Sequence, residues 1–139
     1  MNITIIDGQG GQLGAGLVKE IIAQLQGVNL TVVGTNALAT SAMLKAGAKN
    51  AATGENAVIV ACRKAEVIIG PLGIVIADAL LGEITEKMAA AVGRASAVRI
   101  LIPTNKCDNL VAGVCTPTVK GLIDDAIAKL KDIVNKSIC

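Results

Sequence analysis

The sequence predicts an α/β fold: a three-layer, Rossmann-like domain whose doubly wound sheet is mostly parallel. Short runs of β-forming residues alternate with helical patterns along nearly the whole chain, and this alternation is typical of a parallel sheet with helices on both faces. The first apolar run, residues 3–6, shows little alternation, as expected for a strand covered on both faces. A glycine-rich stretch at residues 7–16 then leads into a helical pattern. A flavodoxin-like strand order is the alternative.

The elements follow in order from apolar periodicity and from glycine, proline and capping residues. The predicted strands are residues 3–6, 30–33, 48–53 (at an edge), 66–69, 98–102 and 110–114. The last of these strands could run antiparallel, because only a short loop precedes it. The predicted helices are residues 11–26, 37–45, 57–65, 74–81, 83–92 and 119–134.

Length and composition restrict the class of protein. The 139 residues predict a single domain over residues 1–139, long enough to bury a core without stabilising disulfide bonds or metal ions. A net charge of +2 and the absence of Phe, Tyr and Trp argue against a nucleic-acid partner, because neither a basic field nor a stacking platform is present. With no histidine and four cysteines lacking C-x-x-C spacing, we expect no metal site.

Apolar residues make up 53% of the chain. The longest apolar stretch, residues 67–81, is broken by glycine, proline and aspartate, so we expect no membrane span. The chain opens directly on a strand without a basic leader, which predicts a cytoplasmic protein. The excess of apolar residues then indicates a subunit interface, and we expect a homo-oligomer, in the simplest case a homodimer.

The glycine-rich turn is the first candidate binding site. A strand, a glycine-rich turn and a helix together present backbone amides and a helix N-terminus to a phosphate. The turn therefore predicts binding of a small phosphorylated ligand or a nucleotide. The glycine spacing departs from G-x-G-x-x-G, and no Lys-Ser/Thr pair of a Walker loop follows. The candidate ligand-binding residues here are Asp7, Gly8, Gln9, Gly10, Gly11, Gln12 and Gly14.

The residues after the second predicted strand do not determine the identity of the cofactor. Gly34, Thr35 and Asn36 stand where a dinucleotide-binding domain carries the acidic residue that accepts the ribose hydroxyls of NAD. This departure weakens an ordinary NAD assignment, although Asn36 could bond a ribose. A nucleotide such as NAD(P) stays a candidate.

The other strand exits extend the candidate site, because each predicted parallel strand ends in small or polar residues. In a doubly wound sheet these ends share one edge, where ligands bind. The further candidate binding residues are Gly34, Thr35, Asn36, Thr53, Gly54, Asn56, Gly70, Pro71, Asn105 and Lys106. Glu83 and Thr85 are interpreted as helix-start residues.

Three functions are compatible with this pattern. The first is a binding module without catalysis, since no catalytic pair is recognisable. The second is a small enzyme acting on a phosphorylated or nucleotide substrate, with Asp7 and Lys106 as its polar groups. The third is an assembly or partner-binding subunit whose glycines are structural. The sequence identifies no catalytic residue.

Six blocks resemble a known bacterial family. They read IDGQGG from residue 6, GTNALATSAM from 34, TGENA from 53, IGP from 69, LGEIT from 81 and IPTNKC from 102. They are similar to the blocks of the family catalogued as domain of unknown function 3842, and the similarity spans nearly the whole chain. The resemblance implies a Rossmann-like fold and carries no activity with it.

Overall fold

In a computed structural model of the chain, residues 1–104, 109–114 and 118–138 are described. Five strands are present in this part of the chain: β1 (Asn2–Asp7), β2 (Asn29–Gly34), β3 (Asn50–Thr53), β4 (Val67–Pro71) and β5 (Val98–Ile102). The helices are α1 (Gln12–Gln24), α2 (Ala37–Lys45), α3 (Glu55–Lys64), α4 (Glu86–Arg94) and α5 (Val119–Ile138), with a 3₁₀ turn at Leu72–Val75.

The strands form one sheet in the order β3-β2-β1-β4-β5, and every pairing is parallel. The predicted α/β fold is thereby confirmed. The order is that of the first five strands of the doubly wound dinucleotide-binding sheet, so the flavodoxin-like alternative is wrong. Asp7 lies beside Gly34, and Gly34 lies beside Thr53. The carboxyl ends of these strands therefore meet at one edge of the sheet.

Both faces of the sheet are covered because the side chains of the central strands alternate. Ile3 and Ile5 of β1 belong to a core cluster with Leu17 of α1 and Leu130 of α5. Ile6 points the other way, into a second cluster formed with α3 and α4. Burial on both faces explains why β1 reads as a continuous apolar run in the sequence.

Helix α5 is amphipathic. Ile123, Ala126, Ile127 and Leu130 are buried, while Lys120 pairs with Asp124 and Lys129 with Asp125 on its exposed side. Among the described residues, no helix is both long enough and apolar enough to cross a membrane.

Two predicted elements are wrong. The helix predicted over residues 74–81 is replaced by the 3₁₀ turn and a series of turns, in which Asp78, Leu80 and Leu81 have φ values of 63°, 56° and 57°. A right-handed helix cannot contain such residues. The strand predicted over residues 110–114 is absent from the described residues 109–114, which form no strand and turn at Gly113, where φ is 84°. No antiparallel strand borders the described sheet.

The helix predicted to begin at Glu83 begins three residues later. The Oγ1 atom of Thr85 accepts a hydrogen bond from the Met88 amide at 3.1 Å and caps α4 at its N-terminus. Thr85 is thus a helix-start residue, as predicted. Glu83 is not, because it lies in the segment that precedes the cap.

Candidate functional site

The end of β1 and the start of α1 are joined through the carboxylate of Asp7. The amide of Gly8 donates to Oδ1 at 2.8 Å, and the amide of Gly14 donates to Oδ2 at 2.7 Å. Asp7 is buried, with 5% of its surface exposed. A Cβ atom at position 14 would lie 3.0 Å from the Cβ of Asp7 and 2.5 Å from the sulfur of Met43. Only glycine permits this approach of the helix to the strand.

Gly11 fixes the shape of the turn. Its φ of 71° is left-handed, its amide donates to the Gly8 carbonyl at 2.9 Å, and helix α1 starts at the next residue. A Cβ atom here would lie 2.6 Å from the Cα of Ala39. The amides of Gly10, Gln12 and Leu13 donate to no acceptor within the described part of the chain. The turn therefore presents a group of unused donors at a helix N-terminus.

Residues 76–85, here called the strap, reach over this turn from the far side of the sheet. The strap closes on itself through the hydrogen bond from the Asp78 amide to the Ile84 carbonyl at 2.7 Å. Its Glu83 carboxylate accepts the Gln9 amide at 2.9 Å through Oε2. Through Oε1 it accepts the Thr35 hydroxyl at 3.2 Å and the side-chain amide of Asn36. One carboxylate thus connects the β1 turn to the exit of β2.

Asn36 is engaged at both ends of its side chain. Its Nδ2 also donates to the Gln9 carbonyl at 3.0 Å, and its Oδ1 accepts the Ala39 amide at 2.9 Å, which caps α2. The exit of β2 is therefore held by contacts within the protein.

A cavity of about 360 Å³ opens on the other side of the turn, between the ends of β1, β4 and β5 and the start of α5. This is the topological switch point, where doubly wound sheets bind their ligands. Its walls are Asp7, Gly8, Gln9, Gly10, Gly11, Gln12, Leu13, Pro71, Leu80, Pro103, Thr104, Val119 and Leu122. Most of the side chains in this set are apolar, and the polar groups are concentrated at the turn.

The cavity brings together seven of the residues predicted for the site: Asp7, Gly8, Gln9, Gly10, Gly11, Gln12 and Pro71. It also includes six residues that the prediction omitted: Leu13, Leu80, Pro103, Thr104, Val119 and Leu122. Leu13 and Leu122 belong to the apolar faces of their helices, and the sequence pattern identifies such residues only as core residues. Thr104 belongs to the predicted exit of the strand over residues 98–102, although it was not among the candidate binding residues.

The remaining predicted residues lie outside the cavity. Gly14 packs against Asp7 and Met43 in the first turn of α1. Gly70 packs against the Ile6 carbonyl, where a Cβ atom would collide. Gly34 leaves room for Thr40, whose hydroxyl lies 2.6 Å from that of Thr53. The other predicted residues away from the cavity are Thr35 and Asn36 under the strap, Gly54, and the exposed Asn56. Asn105 and Lys106 lie outside the described residues.

A second cavity of about 360 Å³ lies at the opposite edge of the sheet, between α1 and the starts of β2 and β3. Its walls include Ile22, Leu25, Val28 and Lys49, and it has neither the glycine turn nor a carboxylate. Within the described residues, no group of three or more Cys, Asp and Glu side chains could hold a metal ion. The cavity at the turn is therefore the better candidate site.

Fold and site together define an α/β protein with an all-parallel sheet and a cavity at its topological switch point. The chain belongs to the family described as Domain of unknown function (DUF3842), whose model matches residues 2–135. This match confirms the resemblance of the sequence blocks. Comparison with curated proteins and with solved structures gives no match.

Proposed function

We propose that this protein binds a small phosphorylated molecule or nucleotide in the cavity beside the glycine turn. The observation that carries the proposal is the group of unused amides of Gly10, Gln12 and Leu13, which border the cavity at the N-terminus of α1. Amides at such a position favour an anion through hydrogen bonds and through the helix dipole.

The rest of the cavity is compatible with this ligand. Leu80, Pro103, Val119 and Leu122 offer an apolar surface to the organic part of the molecule, as in most small-molecule sites. The Asp7 carboxylate accepts two amide hydrogen bonds of the turn.

Titration calorimetry against NAD(P), ATP, GTP, AMP and acyl-CoA tests the proposal. A matched pair of variants at Gly10 locates the site, because a Cβ atom there meets no atom within 4 Å and φ is not positive. Gly10→Asp places a negative charge beside the phosphate and should weaken binding by about tenfold or more. Gly10→Asn has the same shape without the charge and should weaken it less. Absence of binding by every ligand would contradict the proposal.

A catalytic role is the second candidate, favoured by the position of Asp7 in the cavity wall. Asp7 and Lys106 would then supply the polar chemistry on a phosphorylated substrate. In this case Asp7→Asn or Lys106→Ala should abolish turnover while the protein stays folded. Full turnover in both variants would exclude these roles.

Self-association is a further proposal, in a bacterial cytoplasmic protein. It is supported by large apolar side chains on the surface, among them Leu38, Leu81 and Leu110. Exposed apolar surface is typical of protein–protein interfaces where it forms a patch. An assembly role without a ligand is the third candidate function. Light scattering that shows a monomer, together with no partner in a pulldown, would contradict this assembly role.

A further inference from the structure

The strap fills the space between the glycine turn and the exit of β2. A Cβ atom on Gly8 would lie 2.7 Å from the Thr35 hydroxyl oxygen, 2.9 Å from the Leu80 Cδ1 and 3.2 Å from the Glu83 Oε2. These distances are shorter than ordinary van der Waals contacts. The side chains of Thr35, Leu80 and Glu83 therefore occupy the space above Gly8, and a sugar could enter it only if they moved.

Dinucleotides use this same space in other doubly wound proteins. Their pyrophosphate lies on the glycine turn, and a ribose reaches the acidic residue that follows β2. In this protein the carboxylate at the β2 exit comes instead from the strap. Glu83 accepts hydrogen bonds from three protein donors, on Gln9, Thr35 and Asn36. A ligand that crossed here would displace Glu83, and the Gln9 amide and the Thr35 hydroxyl would lose their acceptor.

We propose that Glu83 is a specificity-determining residue that excludes dinucleotides and restricts the ligand to a compact phosphate monoester, such as a nucleoside monophosphate. This inference rests on the proposed function of the cavity. The volume of about 360 Å³ lies near the lower end of the range of small-molecule pockets. Leu80, also on the strap, forms one of the cavity walls. The strap therefore both closes the β2 side and shapes the site that stays open.

The test compares AMP with NAD⁺, because NAD⁺ contains the AMP group and adds a second nucleotide to it. Calorimetry is performed on the wild type, Glu83→Ala and the matched control Glu86→Ala, which changes an exposed glutamate in the first turn of α4. We expect the wild type to bind AMP at least about tenfold more tightly than NAD⁺, given the cost of removing the acceptor from part-buried donors. Glu83→Ala should bring the two affinities close to each other, and Glu86→Ala should leave the ratio unchanged.

Hydrogen exchange of the Gln9 amide in the ligand-free protein checks the strap contact independently. Exchange should be faster in Glu83→Ala than in the wild type and in Glu86→Ala, because the amide loses its acceptor. If circular dichroism shows that Glu83→Ala is unfolded, Glu83→Gln replaces it. This variant keeps the size of the side chain and one acceptor oxygen, and it should reduce the AMP preference partly.

The outcomes separate this inference from the function on which it rests. Wild-type binding of NAD⁺ as tight as that of AMP would overturn the role of Glu83 and leave the proposed function standing. An unchanged ratio in a folded Glu83 variant would do the same, as would unchanged Gln9 exchange. Failure of both nucleotides to bind the wild type would overturn the proposed function and, with it, the restriction to monoesters.

Discussion

The carboxylate of Glu83 accepts a hydrogen bond from the backbone amide of Gln9 at 2.9 Å, although the two residues are 74 positions apart in the chain. This contact joins the segment after β4 to the turn after β1. It also makes the conformation of the turn depend on a residue outside the glycine-rich stretch.

Glu83→Ala should therefore lower the free energy of unfolding by about 1–3 kcal/mol, because donors of the turn and of the β2 exit lose their acceptor. Urea unfolding followed by circular dichroism measures the change. Glu86→Ala, at an exposed position three residues further on, should stay within about 0.5 kcal/mol of the wild type. Equal midpoints for the two variants would show that the carboxylate contributes nothing to stability.

Gly14→Ala should destabilise the protein by about 1–3 kcal/mol, the usual effect of an extra methyl group in a packed region. The new Cβ would press on Met43 and on the Asp7 side chain. Gly93→Ala is the control, since it lies exposed in α4 with no atom within 4 Å of its Cβ position. There the helix propensity of alanine should stabilise by up to about 1 kcal/mol. Opposite shifts of the two unfolding midpoints are the expected result.

Gly11→Ala and Gly10→Ala should differ although the two glycines are neighbours. At Gly11 the left-handed φ of 71° and the contact with Ala39 both oppose a side chain, so a loss of about 1 kcal/mol or more is expected. At Gly10 neither obstacle exists, and alanine should leave the stability nearly unchanged. Thermal unfolding of the two proteins side by side checks this, and similar melting temperatures would contradict it.

Cys62 should be unreactive in the folded protein. Burial raises the pKa of its thiol from 9.0 to about 11, and the thiolate is the form that reacts. Alkylation by iodoacetamide at pH 8 should therefore be on the order of 100-fold slower than in concentrated urea. Mass spectrometry of the peptide that contains Cys62 measures both rates, and comparable rates would show that the thiol is accessible.

The same shift has a consequence for stability. Above about pH 9 the unfolded chain releases the Cys62 proton while the folded state retains it, so the free energy of unfolding falls as the pH rises from about 9 to about 11. Below pH 9 both states hold the proton, and this contribution does not vary. Cys62→Ala should weaken the dependence in that window, as urea unfolding at several pH values would show.

Leu81→Gly should stabilise the strap. Leu81 is 97% exposed and has a φ of 57°, a conformation that is unfavourable by about 1–2 kcal/mol for a residue with a Cβ. Glycine relieves this strain at the cost of a more flexible unfolded chain, which leaves a net gain below about 1 kcal/mol. Val60→Gly, at an exposed position inside α3, should instead destabilise. A loss of stability in both variants would argue against strain at Leu81.

Four of the five parallel strands were predictable because each is an apolar run of sheet length, and the helices between them show regular stripes. The fifth strand, β3, is short and exposed and was predictable only as an edge strand. Residues 37–45 and 98–102 were predicted with the bounds that the structure has. Residues 74–81 were not, because their apolar pattern is equally compatible with a helix and with a tight series of turns. Only the contacts of Asp78 with Ile84 and of Glu83 with the β1 turn decide between them.

The candidate site was predictable at the glycine turn, where local chemistry determines the conformation. It was not predictable at Glu83, whose role depends on partners distant in sequence. The apolar cavity walls were also missed, since nothing in the sequence distinguishes Leu80 and Val119 from ordinary apolar core residues. The β2 exit was placed correctly at the same edge of the sheet, but its side chains bond to the strap.

The position of β1 in the sheet matters for how the chain is made. β1 is synthesised before the other four strands, yet one of its two neighbours is β4, whose Val67 pairs with Ile3. Until that segment leaves the ribosome, the newly made β3-β2-β1 portion carries an open, apolar edge that is a template for wrong pairing. We therefore expect the nascent chain to need chaperone protection until β4 has emerged.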